Sequence, residues 1–170
     1  GFNWQSFSLQ QRDRVDIHQP DANSVLWNNV VGNSGSQIYG ALNANGKVFL
    51  VNPNGIVFAP GASVNVGGLV ASTLPITKEN FEKGNYVFDG GATQPKGAVE
   101  NHGTIYAPNG YAALIGPKVT NTGMIVARTV ALAAGNRVAL DMIGDGLISV
   151  TVEQAALGAR VLNKGQMIAK

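Results

Sequence analysis

The chain has 170 residues, enough for one domain with a sizeable core, and its 45% hydrophobic and 13% charged residues exclude an intrinsically disordered chain. The net charge is only +2 and no run of Lys and Arg could follow a phosphate backbone, so nucleic acid is not a predicted partner. Cysteine is absent, which excludes disulfides and thiolate metal sites.

Short β-prone segments, separated by Gly, Asn or Pro, fill most of the chain, and helical periodicity is nearly absent. Such segments with frequent turn signals are typical of an all-β sandwich, barrel or solenoid. Clear examples lie at residues 47–51, 56–58, 63–66 and 129–132.

One stretch departs from this pattern, because it is more charged and less periodic. Thr77 can cap a short helix that ends at Gly84, and residues 86–89 resemble a strand. We therefore predict an insertion at 74–92, packed on the outside of the main fold.

A nine-residue motif, V-x-N-x-G-x-[IM]-x-A, recurs in the second half of the chain, and its copies begin at Val99, Val119 and Val161. The first two copies lie 20 residues apart, and the second and third lie 42 apart, or two repeats of 21. Residues 111–114 recur at 129–132, with a weaker echo at 138–140. A sandwich or barrel has no reason to repeat at this period, whereas a solenoid does. The predicted fold class is an all-β, right-handed parallel β-helix with about 20 residues per coil.

The repeat also predicts a ladder of stacked side chains. Asn101, Asn121 and Asn163 should lie at equivalent bends, their amides bonded to one another or to the backbone. Asn121 should lie one coil beyond Asn101, and Asn163 two coils beyond Asn121. We expect the Gly two residues after each Asn to adopt a positive φ at the corner. The interior should include Val119, Ile125 and Ala127.

The segment Asn52, Pro53, Asn54 and Gly55 suits a type I turn. Asn is favoured at its first position, Pro presets φ at the second, and Gly is favoured at the fourth. The structural interpretation is a tight corner that sets the register of the flanking strands. We favour this role as the direct one, because turn chemistry accounts for all four residues.

The ionisable residues offer little chemistry. Asp141 and Asp145 flank a short turn, and a carboxylate pair could serve glycoside hydrolysis. Parallel β-helices include polysaccharide lyases and hydrolases, which keeps that alternative open. Isolated Asp residues at turns are far more often solvated or capping, so we predict no enzyme activity. His18 and His102 have no partner at metal-ligand spacing, and His102 should face solvent. No metal, other cofactor or small-molecule substrate is predicted.

Four segments together resemble a known family. They are the W-Q-S-F sequence at 4–7 and residues 43–56, 65–73 and 130–135. The resemblance is to the secretion domain of two-partner-secretion exoproteins, the filamentous haemagglutinin and high-molecular-weight adhesin family. It covers nearly the whole chain, and the block at 43–73 is its most specific part. The chain is more similar to the high-molecular-weight adhesins and haem–haemopexin-binding exoproteins than to filamentous haemagglutinin itself.

The resemblance implies a domain that directs secretion and starts β-helix folding. Its implied partner is an outer-membrane β-barrel transporter whose periplasmic POTRA domains recognise it. The implied location is the medium or the surface of a Gram-negative bacterium, reached through the periplasm. The turn at Asn52–Gly55 is implied to be a secretion determinant. In this family, adhesion to a host surface belongs to the longer downstream region.

The chain departs from the family pattern in two places. Family members carry residues before the W-Q-S-F sequence that form an N-terminal cap, so we expect residues 1–170 to be a fragment of one secretion-type β-helix domain. The upstream Asn-Pro-Asn-Leu motif of the family has no clear copy here, and residues 19–22 lie roughly where it would fall.

Overall fold

The computed structural model describes residues 1–92, 96–144 and 147–169. The first part of the chain forms strands β1 (Phe2–Trp4), β2 (Arg14–Ile17), β3 (Val25–Val30), β4 (Ser36–Ile38), β5 (Ala41–Ala44), β6 (Lys47–Val51), β7 (Ile56–Phe58), β8 (Ser63–Asn65) and β9 (Gly68–Ser72). The second part forms helix α1 (Lys78–Glu82) and strands β10 (Tyr86–Asp89), β11 (Val99–Asn101), β12 (Thr104–Gly116), β13 (Lys118–Asn121), β14 (Met124–Ala134), β15 (Arg137–Gly144), β16 (Leu147–Gln154), β17 (Arg160–Asn163) and β18 (Gln166–Ala169).

Most strands lie on three parallel faces of a coil that winds repeatedly. Face one contains β2, β5, β8, the first half of β12, the first half of β14, and β18. Face two contains β1, β3, β6, β9 and the second halves of β12 and β14. Face three contains β4, β7, β11, β13 and β17. The long strands β12 and β14 run around the corner from face one to face two.

The register stacks equivalent residues of successive coils. On face two, Val48 lies beside Leu69, Leu69 beside Ala112, and Ala112 beside Val130. Their side chains point into the coil and join an inner hydrophobic cluster. A parallel β-helix follows from this arrangement, because each coil buries its apolar residues against the next.

Two insertions leave the coil, and they meet outside face two. The first carries α1 and β10, and the second carries β15 and β16. These three strands form an antiparallel sheet in the order β10-β15-β16, which we call the outer sheet. Thr77 caps α1 by accepting a hydrogen bond from the Asn80 backbone N–H at 3.1 Å.

The second insertion corrects two predictions. Residues 138–140 are not an echo of the coil motif, because they lie in β15 and pair antiparallel with β10. The 42 residues between Asn121 and Asn163 are not two coils either. β13 pairs directly with β17, so about half of that interval is the outer hairpin and Asn163 lies only one coil beyond Asn121.

Face two is buried on both sides. Along β6, Val48 and Leu50 point into the coil, while Phe49 and Val51 point outward into a second cluster beneath the outer sheet. All four are at most 1% exposed. Strands covered on both faces read as continuous apolar runs, which explains the Val-Phe-Leu-Val sequence here.

The outer cluster is rich in aromatic rings. The ring centroids of Phe49 and Tyr86 lie 5.0 Å apart, and those of Trp27 and Phe81 lie 5.1 Å apart. These contacts hold α1 and β10 against face two. In the described ranges, no helix is long and apolar enough to cross a membrane.

Candidate functional site

The turn between β6 and β7 has the geometry that its sequence favours. The Gly55 N–H donates to the Asn52 carbonyl at 3.2 Å, which closes the turn. The Asn52 side-chain oxygen accepts from the backbone N–H of Asn54 at 3.0 Å and from its side-chain amide at 2.9 Å. Gly55 has φ +126°, in a region where a side chain would be strained.

The same turn is bonded to the preceding coil. The Asn52 amide, which is fully buried, donates to the Ser34 carbonyl and to the Ser36 hydroxyl, both at 3.0 Å. The Asn54 amide donates to the Gly32 carbonyl at 2.8 Å. Both donors of Asn52 are therefore satisfied inside the fold, as a buried amide requires.

The turn is also packed against the following coil. The Gly97 N–H donates to the Pro53 carbonyl at 2.8 Å, and the Ile56 N–H donates to the Ala98 carbonyl at 3.1 Å. A Cβ at Gly97 would lie 2.5 Å from the Asn54 carbonyl oxygen, so only glycine allows this approach. The corner is thus held from both sides by bonds between coils.

The three asparagines of the repeat stack on one another at the corner between face three and face one. The Asn101 amide donates to the Asn121 side-chain oxygen at 2.9 Å, and the Asn121 amide donates to that of Asn163 at 3.0 Å. Asn101 and Asn121 are fully buried, whereas Asn163 is exposed in the last described coil. The Asn121 oxygen thus has a donor one coil away, and the Asn101 oxygen accepts from the Gly103 backbone N–H at 3.2 Å. Both buried oxygens are satisfied where water cannot reach them.

The expected positive φ at the glycines of the repeat is wrong. Gly103, Gly123 and Gly165 do not have a left-handed backbone. A Cβ at Gly123 would instead collide with the Gly103 carbonyl oxygen, and a Cβ at Gly165 would collide with that of Gly123. Glycine is needed because the backbones of successive coils approach too closely for a side chain.

The ionisable groups are dispersed. Asp141 is exposed on the outer sheet opposite Ser149, and Asp145 lies outside the described residues. His102 is only half-buried, and its Nε2 lies 2.9 Å from a Glu100 carboxylate oxygen while Nδ1 contacts the Thr122 hydroxyl. Within the described ranges, no group of three or more His, Asp or Glu side chains could hold a metal ion.

Two pKa shifts reflect local surroundings rather than a reaction centre. On face one, hydrogen bonds from Asn43 and Arg14 hold the pKa of Asp16 below its usual value. His18 lines the same shallow surface. Under the outer sheet, burial raises the pKa of the Tyr111 hydroxyl well above its usual value.

The fold is a parallel β-helix whose corners are held by bonds between coils, and a solved structure shares this fold. The crystal structure of the HMW1 secretion domain from Haemophilus influenzae superimposes with a TM-score of 0.93 at 36% identity, covering 99% of this chain and 45% of that one. It confirms the predicted β-helix.

The family model described as TPS secretion domain matches residues 2–168, and the chain belongs to this family. The resemblance drawn from the sequence is confirmed. A TPS domain belongs to a two-partner exoprotein, which is secreted with an outer-membrane transporter as its partner.

Two relatives from Haemophilus influenzae carry the name heme/hemopexin-binding protein. One is 39% identical over 172 residues, which cover 96% of this chain and 19% of the relative. The other is 42% identical over 86 residues, which cover 51% of this chain and 9% of the relative. The chain therefore spans about a fifth of the first relative's length. Both relatives are named for binding heme and hemopexin.

Sequence reasoning missed the partners of the Asn52–Gly55 turn and the second insertion. The turn partners Ser34, Ser36 and Gly97 carry no local signal, because their role depends on stacking. The second insertion had a signal: Val138 and Leu140, then Ile148, Val150 and Val152, alternate on either side of a Gly-containing turn, as in a hairpin.

Proposed function

We propose that this domain is the part of its exoprotein that the periplasmic POTRA domains of the transporter recognise, and that it nucleates β-helix folding once outside the cell. Membership of the TPS family supports a transporter partner, and the structure supports the nucleating role. The two roles act at different times, since recognition concerns the chain before it has folded and nucleation concerns the coil after export.

One observation carries the nucleating role. Val119 and Ile125, which point into the coil, are fully buried. The residues at the same positions one coil later, Val161 and Met167, are 44% and 42% exposed. An added coil would bury them, and burial of apolar surface is favourable by about 25 cal/mol per Å². The last coil is thus a template for the next.

The recognition role follows from the chemistry of the unfolded chain. Its strands are short and weakly charged, and before folding their backbone N–H and C=O groups are unpaired. Such segments can add to an exposed sheet edge of a partner, where main-chain hydrogen bonds give affinity without strict sequence demands. The absence of cysteine also leaves no covalent cross-link that would hinder threading.

The test compares export of the full exoprotein with that of a variant lacking residues 1–170, each with the transporter. We expect export to be lost without the domain. Undiminished surface export of the deletion variant would contradict the recognition role.

Variants of the turn at Asn52–Gly55 can distinguish a role of this motif in folding from direct recognition by the transporter. Asn54→Ala with Gly55→Ala should slow folding and reduce secretion together, because it strains the turn and removes the bond to Gly32. Gly61→Ala is the control for backbone strain alone. Gly61 also has a positive φ, +87°, but no atom lies within 4 Å of its Cβ position, so this variant strains a turn without disturbing a contact between coils. Lost secretion with an unchanged folding rate would instead favour direct reading of the motif.

A further inference from the structure

The chain contains three Asn-Gly sequences, at residues 45–46, 54–55 and 109–110. In such a dipeptide the backbone nitrogen of Gly can attack the side-chain carbon of Asn, because glycine has no side chain that would hinder the approach. All three Asn residues are exposed, so exposure does not distinguish them. They differ in how firmly the fold holds the two reacting groups.

Gln19 holds both groups at the first site. The Asn45 side-chain oxygen accepts from the Gln19 backbone N–H at 2.7 Å, and the Asn45 amide donates to the Gln19 carbonyl at 2.8 Å. The Gly46 N–H donates to the Gln19 side-chain oxygen at 2.9 Å. The attacking nitrogen and the side chain that it would attack are therefore each fixed by hydrogen bonds.

The turn at Asn52–Gly55 holds the second site in a similar way. The Asn54 amide donates to the Gly32 carbonyl at 2.8 Å and to the Asn52 side-chain oxygen at 2.9 Å. The Gly55 N–H donates to the Asn52 carbonyl at 3.2 Å. Attack at this site requires a local opening that breaks these bonds first.

The third site lacks such bonds. Among the described residues, the Asn109 side chain has no hydrogen-bond partner. β12 pairs in register with β14 up to Ala107 and again from Tyr111, so residues 108–110 lie opposite Arg128 alone. Three residues against one make a bulge, and bulged residues are left out of the strand pairing.

Packing requires glycine after Asn109. A Cβ at Gly110 would collide with the Gly67 carbonyl oxygen of the preceding coil, so a larger residue does not fit there. The close approach of the two coils therefore keeps, beside an unbonded Asn, the one residue that leaves its side-chain carbon open to attack.

We propose that Asn109 is a site of spontaneous deamidation in the folded domain. The Gly110 nitrogen forms a bond to the Asn109 side-chain carbon Cγ, and its proton leaves with the side-chain NH2 group as ammonia, so that a five-membered succinimide remains. Water then opens the ring at either carbonyl and gives aspartate or isoaspartate. Each product adds one negative charge to an exposed corner of a chain whose net charge is +2. Isoaspartate also lengthens the backbone by one CH2 group, which an unpaired bulge can accommodate.

Peptide mapping by mass spectrometry tests the proposal on the secreted full exoprotein, incubated at neutral pH for increasing times. We expect the peptide with Asn109 to gain the mass of an amide-to-acid exchange. Peptides with Asn45 and Asn54 should convert at least about tenfold more slowly, because they react only from locally opened states. In urea, where the bonds of the fold are lost, the three sites should convert at similar rates. Asn109→Gln is the control, and it should abolish the acidic form that isoelectric focusing separates.

Gln19→Ala tests the protection directly. It removes the acceptor of the Gly46 N–H, so conversion at Asn45 should rise several-fold while conversion at Asn109 stays the same. Three results would overturn the proposal: no conversion at Asn109 in the folded protein while the unfolded chain converts, equal rates at the three sites in the folded protein, or an exported Gln19→Ala protein with unchanged conversion at Asn45. If Gln19→Ala prevents export, the comparison of the three sites in the wild type decides.

Discussion

The two hydrophobic clusters on either side of face two are built in different ways. In the inner cluster, a residue such as Val119 packs on the residue at the same position of the preceding coil, Val99, which is 20 residues away. In the outer cluster, β10 and β15 come from separate insertions, and the pair Asp89 and Arg137 that joins them is 48 residues apart.

This difference bears on folding. Each coil of the inner cluster forms against the one before it, so the coil can grow in order along the chain. The outer sheet closes only after the coils between its two insertions exist, because its strands bring together distant segments. We therefore expect damage to the inner cluster to unfold the whole domain and damage to the outer cluster to act first on the insertions.

The largest expected effect is that of Val119→Asp. It removes a buried apolar side chain and leaves an unpaired charge inside the coil, which should lower the free energy of unfolding by about 5 kcal/mol. Urea unfolding followed by circular dichroism measures the change. A loss below about 1 kcal/mol would mean that the site is hydrated and that the inner cluster is not a continuous core.

Phe88→Ala probes the outer cluster. Phe88 is fully buried between β10 and face two, so its removal should cost about 3–4 kcal/mol. Hydrogen exchange should accelerate first in β10 and β15, while residues 119–127 stay protected until global unfolding. Uniform acceleration across both clusters would show that the outer sheet and the coil unfold as one unit.

Asn121→Ala tests the polar corner of the inner coil. The change strips Asn101 of an acceptor and Asn163 of a donor, which should cost about 2 kcal/mol. Thr120→Ala is the control on the same strand, where the neighbouring side chain is only half-buried, and it should cost well under half as much. Equal losses would indicate that the ladder adds nothing beyond the strand pairing.

The smallest expected effect concerns pH at the junction of the two insertions. The Gly91 N–H, and then Arg137, hold the pKa of Asp89 below its usual value. A lowered folded pKa contributes stability above the unfolded pKa, about 4, and that stability is lost as pH falls through the folded pKa. Because the Asp89 side chain is 39% exposed to solvent, screening should keep the contribution well under 1 kcal/mol. Asp89→Asn should remove this part of the pH dependence in melts between about pH 5 and 2.

The repeat in the second half of the chain was enough to predict the coil. Stacked copies of V-x-N-x-G place the same residue types at the same positions, so Asn101 and Asn121 could be paired without coordinates. The spacing to Asn163 misled for the same reason, because two coils and one coil plus a hairpin have the same length. The repeat period alone therefore does not distinguish two coils from one coil with an inserted hairpin.

The sequence by itself determined the β-helix, its coil length and the turn at Asn52–Gly55, because these depend on residues close together or repeated at a fixed interval. Only the tertiary structure decided where the two insertions meet and why the repeat needs glycine at its fifth position. Those features depend on the distance between backbones and on pairing between remote segments, and local residue patterns do not encode either.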